Sequence, residues 1–190
     1  CGSRNMQGAA VMAANAAVES GVGIVDCVFP EAAYSAIASK LTEPLMDPMP
    51  STADGFLKAD NLQRIIELAD KSTAVLLGCG LGLCEDTVRL VNGILANVKK
   101  PIILDADGIN ILKETSAPLI LTPHPGEMAR LTGLSIEEIQ SNRVKAARNF
   151  ATQYGCVLVL KGSNTVVAGP SGSVYINRTG NAGMATGGSG

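Results

Sequence analysis

The chain has 190 residues, of which 46% are hydrophobic and 17% are charged, a composition that excludes intrinsic disorder and is sufficient for a sizeable core. Its net charge is −2 and it has no long basic run, so there is no electrostatic support for binding to nucleic acid or to a membrane surface. No apolar run approaches the roughly 20 residues that a transmembrane helix needs.

The cysteines are odd in number and include no Cys-x-x-Cys pair, which is typical of reduced, mostly buried thiols in a cytoplasmic protein. They are Cys1, Cys27, Cys79, Cys84 and Cys156. A metal cluster is not expected, since His124 is the only histidine. The first residue is not Met, which indicates that the native N-terminus lies upstream, with any targeting peptide.

The first third of the chain predicts three helices and one strand. Alanine-rich residues 8–20 predict a helix with a small-residue face, and the β-branched run 22–29 predicts a buried strand. Another helix is expected to begin at Pro30, where proline suits the first turn. The proline-rich residues 42–57 are predicted to be a long irregular connection, and residues 59–69 to be an amphipathic helix.

Apolar strands then alternate with helices. Strands are predicted at 73–77, 101–105, 118–122 and 156–160, and helices at 85–97, shortly after Glu127, and from the capping box Ser135–Glu138 to about Tyr154. Residues 164–168 and 174–177 predict a hairpin. Strands that are apolar throughout predict a mostly parallel sheet covered by helices on both faces. Because no repeat or linker divides the chain, residues 1–190 are expected to form a single domain.

Four loops follow these strands, and ligands of open α/β sheets bind beyond the carboxyl ends of the strands. The loops are Gly78–Gly82, Asp105–Asn110, Thr122–Glu127 and Lys161–Thr165, all rich in glycine, proline or polar residues. We therefore expect them to form one site.

The first two loops have a structural as well as a functional interpretation. Residues 78–82 do not complete a Gly-x-Gly-x-x-Gly dinucleotide motif, because position 83 is Leu. They predict either a tight strand–helix turn or a close backbone approach to a ligand. Asp105 and Asp107 either orient Mg²⁺ through water or hold a sugar hydroxyl, or they cap a helix that begins near Gly108.

The third loop carries the most specific signal, because prolines on both sides of His124 fix its backbone and direction. We expect His124 to hydrogen-bond an amide or hydroxyl of a substrate, and Glu127 to help hold Mg²⁺ through water. The alternative for His124 is a buried structural histidine.

The fourth loop combines a positive charge at Lys161 with a glycine and two hydroxyls, which suits a phosphate or an adenosine. Its alternative is an ordinary turn with a solvated lysine. The glycine-rich run 179–190 predicts a nest of backbone N–H groups for an anion, or else a flexible tail.

Together these motifs resemble the ADP/ATP-dependent NAD(P)H-hydrate dehydratases. The resemblance lies in Leu121-Thr-Pro-His-Pro-Gly-Glu-Met-Ala-Arg-Leu131, Val159-Leu-Lys-Gly162 and Thr179-Gly-Asn-Ala-Gly-Met-Ala-Thr-Gly-Gly-Ser-Gly190. Residues 78–82 and 104–110 resemble two further motifs of the family. The resemblance covers nearly the whole chain, in order.

The resemblance implies a three-layer α/β/α, ribokinase-like fold with a mostly parallel central sheet. It also implies repair of hydrated NADH or NADPH, in which a nucleotide phosphorylates the ring hydroxyl and phosphate is then eliminated. ADP or ATP would be the co-substrate and Mg²⁺ the metal. Further implied partners are an NAD(P)H-hydrate epimerase, functional or fused, and a second copy of the chain in a homo-oligomer. The helix at 8–20 could contribute to that interface, although a core position explains it as well.

Site residues are transferred from the family position by position. Those that match the hydrate-binding segments are Ala9, Gly82 and His124. Those that match the adenine-nucleotide segments are Lys161, Gly162, Ser163, Asn164, Thr165 and Gly190. Glu127 resembles the acid of the ribokinase-like Asn-x-x-Glu motif, which contributes to magnesium binding, and His124 stands in the position of the asparagine.

Two departures from the family predict that the chain is truncated at both ends. The catalytic Asp, the expected base, would directly follow Gly190, and the first strand of the family would precede the loop at residues 1–8. We expect the chain alone to lack the base and to fold poorly. The alternative functions are a ribokinase-like kinase for a vitamin precursor and a non-catalytic nucleotide-binding domain.

Overall fold

The computed structural model describes residues 1–188 and contains two sheets. The larger one has six strands in chain order: β3 (Val75–Leu77), β4 (Ile102–Leu104), β5 (Leu119–Leu121), β6 (Val157–Leu160), β7 (Val166–Ala168) and β8 (Val174–Ile176). Strands β3 to β6 run parallel, and β7 and β8 continue the sheet in antiparallel pairing. The smaller sheet is a parallel pair of β1 (Asp26–Pro30) and β2 (Leu45–Met49). The architecture is the predicted three-layer α/β/α arrangement with a mostly parallel central sheet.

The helices connect these strands. They are α1 (Gln7–Glu19), α2 (Tyr34–Ala38), α3 (Leu62–Lys71), α4 (Glu85–Asn97), α5 (Asp107–Ile111), α6 (Pro125–Thr132), α7 (Ile136–Ser141) and α8 (Arg143–Tyr154). Single 3-10 turns lie at Glu31–Ala33, Ala59–Asn61 and Ala182–Met184. Within residues 1–188, no helix combines the length and the apolar character needed to cross a membrane.

A row of leucines aligns the parallel strands. Leu77 pairs with Leu104, Leu104 with Leu121, and Leu121 with Leu158. All four are buried, which fixes the register because a slip by one residue would turn an apolar side chain out of the core. The residues that follow β3, β4 and β5 therefore emerge level with one another at the same edge of the sheet.

The core consists of two groups of buried side chains. The larger surrounds the six-stranded sheet, and the smaller joins α1, β1 and α2 through residues such as Ala10, Phe29 and Ile37. Ala10 and Ala14 of α1 are buried in this smaller group, so the small-residue face of α1 lies in the core beside β1.

The predicted irregular connection at 42–57 is wrong in part, because it contains β2. Residues Leu45–Met49 pair in register with β1, a long-range contact that local composition does not reveal. Pro48 is tolerated there because an edge strand does not need every N–H group. The predicted strand at 22–29 is shorter, since β1 begins only at Asp26.

The predicted continuous helix from Ser135 to Tyr154 is also wrong. The capping box at Ser135 and Glu138 is confirmed, but the helix stops and restarts at Asn142, whose φ is −149° and ψ is 68°. The Asn142 side chain accepts a hydrogen bond from the Lys145 N–H, so it caps a second helix where the first could have continued. The predicted hairpin is confirmed as β7 and β8.

Candidate functional site

The four loops predicted to share a site do meet at the carboxyl edge of the sheet. The Gly82 N–H donates to the Asp107 carboxylate at 2.8 Å, which joins the loops after β3 and β4. The Lys161 N–H donates to the Pro123 carbonyl at 2.9 Å, which joins the loops after β5 and β6.

An ion pair spans the middle of this edge. Lys161 Nζ donates to Asp105 Oδ1 at 2.7 Å, and the Thr122 hydroxyl donates to the same oxygen at 2.7 Å. The three residues follow β6, β4 and β5, so the pair passes across the end of the central strand. The Lys161 side chain is only 20% exposed, so it is not a solvated lysine, although residues 161–165 do form the turn between the antiparallel strands β6 and β7.

Burial by itself raises the pKa of the Asp105 carboxyl, but the hydrogen bonds from Lys161 and Thr122 and the charge of Lys161 outweigh it and lower the pKa overall. Asp105 is thus an ionised acceptor whose Oδ1 is already used by two donors. The alternative of a helix cap is wrong for both acids, because α5 begins at an Ala106 N-cap with φ 48° and no side-chain cap bond.

The Cys79 thiol lies beneath the ion pair, with its Sγ 3.7 Å from Asp105 Oδ2. Burial first, and then the negative charge of Asp105, raises the pKa of this thiol to about 11. Cys79 is therefore a protonated, weakly nucleophilic group that packs under the site.

The glycines of residues 78–82 let the loop approach other parts of the protein. Gly78 has φ 123°, and a Cβ there would clash with the Asp105 carbonyl and with the Gly108 N–H of the neighbouring loop. A Cβ at Gly80 would lie 2.7 Å from the Ala9 Cβ, and one at Gly82 would overlap the Phe56 ring. These contacts are all internal, which fits a tight strand–helix turn, and the close approach of this loop to a ligand stays a prediction.

Ala9 and Gly82, both predicted to contact the hydrate, lie on this side of the edge. The Gly2 N–H donates to the Cys79 carbonyl at 2.8 Å, so the N-terminal loop is attached to the loop after β3. Ala9 follows at the start of α1 against Gly80. The contact between Phe56 and Gly82 was not predicted, because the segment around Phe56 contains no motif. The contacts of Ala9 and Gly82 with a ligand remain predictions.

His124 and Glu127 form a reciprocal cap at the start of α6. His124 Nδ1 accepts the N–H groups of Gly126 and Glu127 at 3.0 and 3.3 Å, and Glu127 Oε2 accepts the His124 N–H at 2.7 Å. The His124 side chain is 51% exposed, so the alternative of a buried structural histidine is wrong. Because Nδ1 is an acceptor in this cap, Nε2 carries the proton of the neutral ring and is a hydrogen-bond donor.

Glu127 is compatible with magnesium only in an indirect role. Its side chain is 6% exposed, and Oε2 is used by the cap while Oε1 lies 3.5 Å from His124 Nε2. Within residues 1–188 no three His, Cys, Asp or Glu side chains are grouped to hold a metal ion. Mg²⁺ commonly keeps several waters and takes one or two carboxylates with substrate phosphates. The residues therefore fit an ion held chiefly by a nucleotide, with Glu127 reaching it through water.

The loop Lys161–Thr165 is closed on itself. The Thr165 hydroxyl donates to the Gly162 carbonyl at 2.9 Å, and Asn164 has the left-handed φ of 56°. Arg143, which sequence reasoning missed, donates from one guanidinium nitrogen to the carbonyls of Leu160 and Lys161 at 2.8 and 3.1 Å. No local signal marks Arg143, since its partners lie 17 and 18 residues away.

The glycine-rich run is described as far as Gly188. The Asn181 side chain accepts the Gly183 N–H and caps the 3-10 turn Ala182–Met184. A Cβ on Gly188 would lie 2.5 Å from the Met12 sulfur, so the run lies against α1 one turn beyond Ala9. The predicted nucleotide contact at Gly190 lies outside the described residues.

Comparison with known proteins gives one consistent result. The family model described as NAD(P)H-hydrate dehydratase matches residues 1–190. A bifunctional NAD(P)H-hydrate repair enzyme Nnr from Moorella thermoacetica is 41% identical over the whole chain. The ADP/ATP-dependent NAD(P)H-hydrate dehydratase from Bacillus subtilis, co-crystallized with ATP/Mg²⁺ and soaked with CoA, is 34% identical with a TM-score of 0.77 over 98% of the chain.

A ribokinase-like superfamily protein from Enterococcus faecalis has a TM-score of 0.81 over 97% of the chain at 24% identity, which shows the ribokinase-like fold. The chain spans 37% of the Moorella enzyme, 66% of the Bacillus structure and 63% of the Enterococcus structure.

Proposed function

The chain belongs to the NAD(P)H-hydrate dehydratase family, and on that premise we propose that the protein uses ADP or ATP to convert hydrated NADH or NADPH back to the reduced coenzyme. The observation that carries the proposal is the polar edge described above. There His124, which matches the hydrate-binding segment of the family, and Lys161, which matches the nucleotide-binding segment, follow adjacent strands. The Bacillus relative, named as ADP/ATP-dependent, supports the choice of nucleotide.

The reaction balances in two steps. In the first, the hydroxyl oxygen of the hydrated ring attacks the terminal phosphorus of the nucleotide, the bond to the leaving nucleotide oxygen breaks, and a base takes the hydroxyl proton. In the second, the ring carbon–oxygen bond breaks, inorganic phosphate leaves, a neighbouring carbon loses its proton, and the double bond is restored. The base expected directly after Gly190 would be the next residue and is not among the 190 residues of this sequence.

Each residue at the edge has a defined task in this proposal. His124, oriented by its own cap, donates from Nε2 to an amide or hydroxyl oxygen of the hydrate. Residues 161–165 hold the adenine nucleotide through backbone N–H groups and hydroxyls, and the Asp105 ion pair holds Lys161 in position. Bound Mg²⁺ would neutralise negative charge on the transferring phosphoryl group, with Glu127 contacting it through water.

We also infer that the protein is cytoplasmic and that residues 1–190 form a single domain. We infer further that it acts together with an NAD(P)H-hydrate epimerase, and that it is a homo-oligomer. The five cysteines are all free, which suits a reducing compartment. The bifunctional name of the Moorella relative supports a second repair activity. Sedimentation of the purified full-length protein tests the homo-oligomer, and a monomer would contradict it.

The test of the main proposal is recovery of NADH absorbance from NADH hydrate by the full-length protein with ADP, with ATP or without nucleotide. We expect recovery only with a nucleotide, and release of one phosphate for each NADH formed. A parallel reaction with hydroxyethylthiazole tests the vitamin-kinase alternative. Nucleotide consumed with the alcohol but not with the hydrate would overturn the proposal.

A further inference from the structure

Arg143 makes an unusual set of contacts for the first residue of a helix. One guanidinium nitrogen donates to the carbonyls of Leu160 and Lys161, and the other donates to Gln140 Oε1 at 2.9 Å. Its Nε is buried and has no hydrogen-bond partner within residues 1–188. The side chain thus reaches from α8 to the point where β6 ends and the loop 161–165 begins.

The position is unfavourable for the stability of α8. A cation in the first turn opposes the helix dipole, whose positive end lies there, and a buried donor without a partner carries a desolvation cost. An acidic or neutral side chain at this position would stabilise α8 better than arginine does. What Arg143 provides instead is its set of hydrogen bonds to the end of β6.

Those contacts determine the shape of the loop. The carbonyls of Leu160 and Lys161 are the last acceptors before Gly162, and fixing both orients the peptide planes at the base of the loop. Gly162 lies directly on the guanidinium, since a Cβ there would be 2.7 Å from one of its nitrogens. A planar fork can bond two successive carbonyls and a glutamine at once, which a lysine ammonium does less well.

We propose that Arg143 is a positioning residue for the adenine nucleotide, acting through the backbone of residues 161–165 and not by touching the ligand. The inference rests on the proposed function, because that loop is the predicted nucleotide segment. It adds a residue from α8 to a nucleotide site whose other predicted residues are the loop 161–165 and Gly190. The break at Asn142, which starts α8, places Arg143 opposite the end of β6.

The test compares Arg143→Met and Arg143→Lys with a matched control, Arg148→Met, on the exposed side of α8. In the full-length protein we expect Arg143→Met to raise the KM for ADP or ATP by about tenfold or more, as for lost charge-assisted hydrogen bonds. The KM for NADH hydrate should stay within about twofold of the wild-type value. Arg143→Lys should fall between wild type and Arg143→Met, and Arg148→Met should match wild type.

Direct titration of ADP by calorimetry, without hydrate, gives a second measurement that does not depend on turnover. Weaker binding in Arg143→Met with an unchanged hydrate KM supports the inference. Equal rises in both KM values, or a lower melting temperature with unchanged nucleotide binding, would overturn it. If Arg143→Met does not fold, Arg143→Lys decides between these outcomes.

The two proposals fail in different ways. If the wild-type protein turns over the hydrate and the Arg143 variants bind nucleotide normally, this inference alone is wrong. If the wild-type protein binds ADP through an Arg143-dependent loop but produces no NADH, the proposed reaction is wrong and the inference stands.

Discussion

Lys161 and Asp105 are 56 residues apart in the chain, yet Lys161 Nζ lies 2.7 Å from Asp105 Oδ1. Thr122 donates to the same oxygen from the strand between them. This arrangement ties β4, β5 and β6 together at the edge that carries the candidate site, and it holds Lys161 before any ligand arrives.

Replacing Asp105 by Asn should destabilise the protein, because it leaves Lys161 largely buried without its counter-charge. We expect a loss of about 1–3 kcal/mol in the free energy of unfolding at neutral pH, measured by urea titration of the full-length protein. The matched control is Asp47→Asn, which breaks the longer pair with Arg64 at 3.8 Å, where the side chains are 29% and 53% exposed. That change should cost less than about 1 kcal/mol. Equal losses would contradict a special role for the Asp105 pair.

Asp105→Asn should also change how the free energy of unfolding depends on pH, in a direction that follows from the pKa of Asp105. The pKa of folded Asp105 lies below its ordinary value of 3.8, so the unfolded chain takes up the proton first as the pH falls. The stability from Asp105 is therefore complete above that ordinary value and is lost as the pH falls through the folded pKa. The stability difference between wild type and Asp105→Asn should be constant from about pH 5 to about pH 7 and should shrink below about pH 4. A difference that shrinks as the pH rises would have the wrong sign.

Cys79 should resist alkylation, since a pKa of about 11 leaves little thiolate at neutral pH. Asp105→Asn should speed its reaction with iodoacetamide, because the carboxylate charge and its hydrogen bond both raise the thiol pKa. Peptide mass spectrometry over a time course measures the rate for each cysteine.

Cys156 is buried at 3% exposure and is the internal control for local opening of the fold. If Cys156 accelerates as much as Cys79, the effect comes from opening, and the electrostatic explanation fails.

Two substitutions separate the helix-capping role of His124 Nδ1 from the proposed hydrogen bond that Nε2 donates to the hydrate. His124→Ala removes the acceptor for two N–H groups and should cost about 0.5–2 kcal/mol of stability. His124→Asn keeps a good N-cap acceptor and should nearly restore that stability while still lacking the Nε2 donor.

Both His124 variants should raise the KM for the hydrate more than the KM for the nucleotide, by about twofold to tenfold, the equivalent of one lost hydrogen bond. Steady-state kinetics with each ligand varied in turn measures both constants. Equal changes in the two KM values would argue against a contact between His124 and the hydrate.

Gly162→Ala should weaken nucleotide binding, because Gly162 has φ 144° and a Cβ there would push against Arg143. Gly172→Ala is the matched control: Gly172 has φ 83° in the neighbouring hairpin turn, where a Cβ would meet only Thr152 at 3.5 Å. Both variants should lose about 1 kcal/mol or more of stability from the left-handed conformation. Only Gly162→Ala should lower ADP affinity in calorimetric titration, and a similar decrease in Gly172→Ala would contradict the prediction.

Much of the site could be predicted from the sequence because its signals are local. The strand ends, the loop glycines and the prolines around His124 lie in single segments, and parallel strands bring their carboxyl ends to one edge. The capping box at Ser135 and the hairpin across residues 169–172 were predicted on the same local basis, and both are confirmed. The family resemblance added roles that segments alone do not carry.

The rest depended on residues far apart in the chain. Strand β2 exists because Leu45–Met49 pairs with β1, and its proline-rich composition conceals that pairing. The break at Asn142 depends on whether a side chain caps a new helix or the old helix continues, two local options that are close in energy. The Asp105–Lys161 pair and the Arg143 contacts form only when the register of the leucine row aligns β4, β5 and β6. The sequence by itself therefore determined which segments form the candidate site, and the tertiary structure decided which side chains support them, because those side chains come from segments far apart in the chain.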